Sequence, residues 1–252
     1  MKEKIQLNSD AVQLRLDLGE DRNSPIDIFS LIHKNSDLTL VFHPMSKSLS
    51  GMCIRDGTNK VIGVNSNSTY GRQRFTVAHE LYHLFFQEKY KSIICPADIG
   101  LSKDVQEKEA DSFASYFLAP YDALALFVRN LKGEQPYSID LDDVVRIEQH
   151  FAMSRQATLW RLVNDKYITL RKANTMRSGV KASAMRLGYD TTLYSPTPEH
   201  KTYATYGKYI RLAEELKAQD LISDGKYDEL LLDAFRADIV YGFDEETDEI
   251  YD

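Results

Sequence analysis

The stretch RFTVAHELYHLFF, Arg74–Phe86, decides how the rest of the chain is interpreted. It contains no glycine or proline and consists mostly of Phe, Val, Ala and Leu, so it predicts a helix that is buried on nearly every side. It nevertheless carries two histidines and a glutamate, namely His79, Glu80 and His83. Moving such groups out of water costs free energy unless a partner compensates. The stretch therefore predicts a compensating partner for these side chains.

The spacing of the two histidines indicates what that partner is. His79 and His83 are four residues apart, so on a helix both imidazoles lie on one face and reach one point. Zinc accepts imidazole nitrogens at about 2 Å. Glu80 is rotated by about 100° from His79, where it can serve as a general base beside the metal, as in the H-E-x-x-H motif. The alternative is a pair of hydrogen-bonded core histidines with a chance glutamate between them.

A second segment supplies candidates for a third ligand, because its apolar residues recur with helical spacing. These apolar residues are Ala110, Phe113, Ala114 and Phe117. Glu107 lies three residues before the first of them, on the stripe predicted to be buried, and we select it as the third ligand. Glu109 is about 100° away and is predicted to face water. Asp111 borders the buried stripe, where its carboxylate can accept the free N–H of a ligand histidine.

The two segments together resemble the ImmA/IrrE family of metallopeptidases. RQRFTVAHELYHLFF (72–86) is similar to the R-F-T-x-A-H-E-x-x-H helix of that family. QEKEADSFASYFLAP (106–120) is similar to its E-x-E-A-N/D-x-F-A helix, which ends in Leu-x-Pro. The likeness extends over roughly residues 25–165. It implies a zincin-like protease fold.

The resemblance also implies roles for individual residues. By motif position, the implied zinc ligands are His79, His83 and Glu107, and the implied general base is Glu80. Two residues depart from the family pattern. Tyr82 stands where the family usually has glycine, and Asp111 stands where asparagine is common. Neither departure removes a ligand.

The composition favours a protein of the cytoplasm. A net charge of −7 does not favour binding to polyanionic nucleic acid. Cys53 and Cys95 are the two cysteines, too few for a disulfide framework. No apolar run approaches the ~20 residues of a membrane span, and the first ten residues lack the apolar core of a signal peptide. These features predict a cytoplasmic location.

The order of the segments predicts an α+β fold with a zincin-like core. Short segments with β-branched or alternating residues predict a small antiparallel sheet; they are 38–42, 51–56 and 60–65. We expect the segment 51–56 to form the sheet edge above the site, where a substrate strand can add. The predicted organisation is a metallopeptidase domain over 1–135, a helix-turn-helix-like unit over 136–170 and a mainly helical region over 171–252. This last region has a basic linker and an acidic tail.

Residues 141–168 resemble a DNA-binding helix-turn-helix, with Ser154 as the N-cap of the second helix. Acidic and basic residues balance within this unit, so it lacks the phosphate attraction that supplies most DNA affinity. We therefore expect it to pack on the core or to dock a partner. The basic segment between 171 and 201 keeps direct DNA binding open as the alternative.

The sequence as a whole predicts a zinc-dependent endopeptidase, with Mn²⁺ as the alternative metal for a His₂Glu set. Tyr70, Arg72 and Tyr82 are near enough in sequence to contact an oxyanion or substrate, and spacing does not choose among them. The resemblance implies a protein substrate, a small helix-turn-helix repressor whose cleavage turns on stress or mobile-element genes. Two other classes remain: a DNA-binding regulator with a vestigial metal site, and a repressor-binding protein that does not cut.

Overall fold

The computed structural model shows an α+β fold, as predicted. It describes residues 1–34, 37–87, 92–96, 99–100, 102–133 and 138–242. The predicted acidic tail lies outside the described residues from 243 onward. Five strands and twelve α-helices are present in the described part of the chain. None of these helices is both long and apolar enough to cross a membrane.

Five strands form a single sheet. In chain order they are β1 (Leu38–His43), β2 (Leu49–Asp56), β3 (Asn59–Asn65), β4 (Ser92–Pro96) and β5 (Ala204–Gly207). Their spatial order is β4-β2-β3-β1-β5. The first three strands are those predicted from the sequence. β4 and β5 lie in segments for which the sequence predicts no strand.

The sheet is mixed, which corrects the predicted antiparallel pairing of β1. β1 pairs in parallel with β3, from Leu38 opposite Lys60 to His43 opposite Asn65. β2 pairs antiparallel with both β3 and β4. The chain reverses direction after β1 and again after β2, so β1 and β3 run the same way. The spatial order then places these two strands side by side.

β4 forms one edge of the sheet and β5 the other, which corrects the prediction that residues 51–56 lie at the edge. β2 lies between β3 and β4, so its backbone is paired on both sides. The sequence of β4, SIICP, is short and ends in Pro96. Proline argues against a central strand but is tolerated at an edge. The sequence signal for this strand was therefore weak.

Twelve α-helices form most of the remaining fold. In chain order they are α1 (Lys4–Asp17), α2 (Ile28–Lys34), α3 (Tyr70–Phe86), α4 (Val105–Leu118), α5 (Tyr121–Lys132), α6 (Leu141–Phe151), α7 (Arg155–Asn164), α8 (Leu170–Thr175), α9 (Val180–Arg186), α10 (Lys208–Ala218), α11 (Asp224–Asp233) and α12 (Ala237–Tyr241). α3 packs against α4 and against β2 and β3, and α1 packs against α4. The interface of α3 and α4 is thus the centre of the molecule's core.

α3 is buried along almost its whole length, as predicted. Every residue from Gln73 to Leu84 is buried. Such a run covers about three helical turns, so no face of this part of the helix is left for water. Its ionisable side chains must therefore find their partners inside the protein or in a bound ligand.

α6 and α7 have the order helix, turn, helix that the sequence predicts. Ala152 ends α6 in the left-handed conformation, with φ 50° and ψ 47°. Ser154 begins α7, and its hydroxyl accepts a hydrogen bond from the Ala157 N–H. Within α7, Gln156 alone is an exposed residue. Because a recognition helix offers exposed side chains to the major groove, the burial of α7 favours packing over DNA readout.

A first prediction concerns the close approach of β2 to α3 at Gly51. A Cβ there would lie 2.5 Å from Thr76 Cγ2 and 2.6 Å from the Gly63 carbonyl oxygen. We expect Gly51→Ala to lower the free energy of unfolding by about 1–3 kcal/mol, because the backbone must shift to admit the methyl group. Gly225→Ala in α11 is the matched control: nothing lies within 4 Å, and alanine favours a helix. Urea unfolding of both variants measures the difference, and equal stability of the two would contradict this packing.

Candidate metal centre

The buried face of α3 meets α4 at a cluster of nitrogen and oxygen donors. His79 Nε2 lies 3.1 Å from His83 Nε2 and 3.3 Å from Glu107 Oε2. His83 Nε2 lies 3.4 Å from Glu107 Oε1. The two imidazoles are adjacent because four residues separate them on one helix face. The first turn of α4 brings the carboxylate of Glu107 to the same point.

These separations, which involve both carboxylate oxygens of Glu107, are close to the distances between donor atoms around a tetrahedral zinc ion. Donor atoms bound at about 2.0–2.1 Å to a tetrahedral ion are about 3.3–3.4 Å apart, and the observed separations are 3.1, 3.3 and 3.4 Å. Two imidazoles and one carboxylate are also a donor set of catalytic zinc sites, which keep the fourth position open. The residues of the cluster therefore fit a divalent metal ion.

Each histidine is held in place through its other ring nitrogen. His79 Nδ1 lies 3.0 Å from Asp111 Oδ1, and His83 Nδ1 lies 2.6 Å from Gln87 Oε1. Asp111 also accepts a hydrogen bond of 2.6 Å from the Gly100 N–H. These contacts direct both Nε2 atoms into the cluster. Asp111 was predicted from the sequence, whereas Gln87 was not, although its position four residues after His83 was the available signal.

The charges around the cluster favour a cation. Burial disfavours a charged imidazole, yet hydrogen bonds to Asp111 and Glu107 outweigh it and raise the pKa of His79 to about 10. Burial likewise disfavours a charged carboxyl, yet hydrogen bonds from His79 and His83 lower the pKa of Glu107 to about 2. The carboxylates thus hold positive charge on the His79 imidazole when no metal is bound. A metal ion can take the place of that proton.

Glu80 is fully buried beside the cluster but does not belong to its donor set. Neither of its carboxylate oxygens accepts a hydrogen bond from an N–H or O–H group in the described part of the chain. The thiols of Cys53 and Cys95 adjoin it. Burial raises the pKa of Glu80, and the two nearby imidazoles oppose this only in part. A carboxyl group with a raised pKa can accept and return a proton closer to neutral pH.

A thiol that was not predicted from the sequence also reaches the cluster. Cys95 Sγ lies within 4.8 Å of the donor atoms of His79, His83 and Glu107. Burial, followed by the negative charges of Glu80 and Glu107, raises the pKa of Cys95. The residue belongs to β4, for which the sequence predicts no strand. Without that strand, no sequence pattern indicated that this cysteine approaches α3.

The prediction that Glu109 faces water is wrong. Its side chain is buried, with a relative exposure of 4 %. It accepts hydrogen bonds of 2.5 Å from the Tyr82 hydroxyl and of 2.5 Å from the Lys2 backbone N–H. The N-terminal segment covers this side of α4. The periodicity of apolar residues within α4 cannot predict a contact with a segment so distant in sequence. Because the Tyr82 hydroxyl is directed to Glu109, the structure does not bring Tyr82 to the donor cluster.

Tyr70 and Arg72, the other residues considered for substrate contacts, lie towards the N-terminal end of α3. Tyr70 is about 13 Å along the helix axis from His79, and its ring packs edge-on against Phe29 at 5.2 Å. Arg72 donates a hydrogen bond of 3.3 Å to the Pro96 carbonyl at the end of β4. Arg72 is therefore next to the edge strand, whereas Tyr70 is distant from the cluster.

Arg72 also lines a large cavity between α3 and the helices that follow it in sequence. The cavity has a volume of about 850 Å³. The described residues that line it include five basic and no acidic side chains. The basic ones are Lys47, Arg72, Arg155, Arg177 and Lys181. Arg155 is paired with the buried Glu148, and the other four basic side chains favour an anionic occupant.

Residues 34–163 match a peptidase family described as the IrrE N-terminal-like domain. The match covers about half of the chain. This chain belongs to the IrrE-like peptidase family. The family resemblance drawn from the sequence is thereby confirmed. No curated protein matches the chain.

Membership of the IrrE-like family supports a metallopeptidase, and hence a protein substrate. The matched region begins at the end of α2 and extends into α7, so it includes all the donor residues of the cluster. It also includes most of the helix-turn-helix-like unit. The inclusion of this unit in the family match agrees with the burial of α7.

A second prediction separates the candidate metal donor on α4 from its buried neighbour. We expect Glu107→Ala, like His79→Ala, to abolish binding of one zinc ion per chain, because it removes a donor. Glu109→Ala should keep the metal but lower the free energy of unfolding by about 1–3 kcal/mol, because it leaves the buried Tyr82 hydroxyl without its acceptor. Elemental analysis and thermal unfolding measure the two effects. Loss of zinc from Glu109→Ala but not from Glu107→Ala would disprove the assignment.

Proposed function

We propose that this IrrE-like chain is a zinc-dependent endopeptidase that cleaves a specific protein in the cytoplasm. The observation that carries this proposal is the spacing of 3.1, 3.3 and 3.4 Å among His79, His83 and Glu107. A fully buried carboxylate, Glu80, adjoins them. Mn²⁺ is the alternative metal for this donor set.

The proposed chemistry divides between the metal and one glutamate. His79, His83 and Glu107 would hold the zinc ion. The ion would act as a Lewis acid, polarising the scissile carbonyl and making water more acidic. Glu80 accepts a proton from the attacking water and delivers it to the leaving amine. Its burial supports this role, since a raised pKa makes the carboxyl group a better carrier of a proton in both directions.

Two further residues position the proposed ligands. Asp111 and Gln87 contact the Nδ1 atoms of the histidines and fix the direction of the rings. The hydrogen bond from Gly100 holds Asp111 in turn. Because these partners restrict the imidazoles before a metal binds, little reorganisation is needed when it arrives.

We propose that the substrate adds as an extra strand to β4. This strand has one partner, β2, in the described sheet, so its other edge can pair with an extended peptide. Ile94 on this strand is 58 % exposed although it is hydrophobic, which suits contact with an apolar substrate side chain. The neighbouring residue Cys95 reaches the donor cluster, so a peptide on this edge passes beside the metal.

The proposed substrate is a small helix-turn-helix repressor, whose cleavage turns on stress or mobile-element genes. This identity rests on the family resemblance. The basic cavity lined by Arg72, which itself contacts the end of β4, supports a role in specificity, since it suits an acidic segment of the substrate. The alternative of a DNA-binding regulator is disfavoured because α7 offers one exposed residue, Gln156.

A third prediction tests Glu80 as the base. Glu80→Gln keeps the size of the side chain but cannot accept the proton, so it should retain one zinc ion per chain while peptide cleavage falls by about 10²–10⁴-fold. Elemental analysis and a cleavage assay measure these two quantities on the same sample. Loss of zinc in Glu80→Gln would instead identify this residue as a ligand.

A fourth prediction tests the substrate. The zinc-loaded enzyme, incubated with a helix-turn-helix repressor encoded beside it, should produce one discrete cut detected by mass spectrometry. Glu80→Gln is the matched control and should leave the repressor intact. Tight binding of the repressor without a cut, with either Zn²⁺ or Mn²⁺, would favour the class of non-catalytic repressor-binding proteins.

A further inference from the structure

We propose that Cys95 is a fourth donor to the metal and holds the peptidase in a latent state. This inference rests on the proposed zinc site and extends it. The H-E-x-x-H motif and the helix that supplies Glu107 account for three donors, and neither assigns a function to the thiol on β4.

The geometry of the cluster places this thiol within reach. Cys95 Sγ lies within 4.8 Å of one donor atom of each of His79, His83 and Glu107. In a tetrahedral site with a Zn–S distance of about 2.3 Å, sulfur and nitrogen donors are about 3.6 Å apart. A movement of the thiol on the order of 1 Å therefore completes the shell.

A shell of four protein donors has a direct consequence for activity. Structural zinc sites have four protein ligands, whereas catalytic sites keep one position for water or substrate. Thiolate is also among the ligands that zinc prefers. Cys95 and the reacting water thus compete for the same position. Binding of the thiol exchanges its S–H bond for a bond to the metal and releases one proton to solvent, with no change in oxidation state.

The position of Cys95 makes it the donor that is easiest to displace. His79 and His83 project from a helix that is buried on all sides, and Glu107 belongs to the helix packed against it. Cys95 instead lies on β4, which is paired with β2 on one side. A peptide that adds to the other edge of β4 acts on the strand that carries the thiol. Substrate binding and release of Cys95 from the metal are thereby coupled.

Cys53 provides the matched control. It lies on β2, it is fully buried like Cys95, and it also adjoins Glu80. It does not belong to the four-residue donor cluster. The chain contains two cysteines, so in Cys53→Ala any thiolate bound to the metal must come from Cys95.

The deciding experiment is metal spectroscopy of the full chain. Zinc-loaded Cys53→Ala should show a sulfur neighbour at about 2.3 Å in X-ray absorption. Its Co²⁺ form should show a near-ultraviolet thiolate-to-cobalt charge-transfer band. Cys95→Ala should lose both signals. A bound metal with only nitrogen and oxygen neighbours in Cys53→Ala overturns the Cys95 proposal alone, whereas a protein that binds no metal overturns the proposed zinc site as well.

A titration with acetohydroxamate tests latency without a substrate. This bidentate ligand needs open positions on the metal, so the Co²⁺ form of Cys95→Ala should bind it at lower concentration than the Co²⁺ form of Cys53→Ala. The change in the visible spectrum of cobalt reports binding in both variants. Equal affinities would overturn the latent state even if the sulfur neighbour is present.

Discussion

The burial of α3 on all sides is the constraint on which the site depends. A helix that carries ionisable side chains into an apolar core must have them compensated by its neighbours. α4 supplies Glu107 and Asp111, the residue that follows α3 supplies the Gln87 amide, and β4 brings the Cys95 thiol. The donors are therefore positioned by the packing of the core itself. Rigidity of the site and stability of the fold have a common origin here.

Helical spacing explains why much of this site was predictable. Four residues place His79 and His83 on one face, and the apolar stripe of α4 selects Glu107. The α+β class and the first three strands followed from local patterns in the same way. Cys95 and Glu109 were not predictable because their environments depend on distant segments. The position of Cys95 depends on the pairing of a five-residue edge strand. The burial of Glu109 depends on the N-terminal backbone, which covers α4.

Two arginines in α7 show where the balanced charges of the helix-turn-helix-like unit are used. Arg155 is paired with Glu148, and Arg161 is paired with Asp165 and donates to the Ser115 carbonyl. Both guanidinium groups are buried. A buried ion pair adds little net stability, but removing one partner is costly. These arginines therefore specify how α6 and α7 pack on the core, and their charge is not offered to phosphate groups.

β5 forms the edge of the sheet that lies opposite β4. It pairs antiparallel with β1, so that Thr39 faces Gly207 near the other end of the chain. Contacts between segments so far apart in sequence form late in folding. During synthesis, residues 34–163 leave the ribosome with β1 still unpaired on that side, and an unpaired edge is a template for association with other chains. The strand near the C-terminus thus covers the six-residue β1 and leaves a four-residue strand at that edge, and a very short edge strand limits such association.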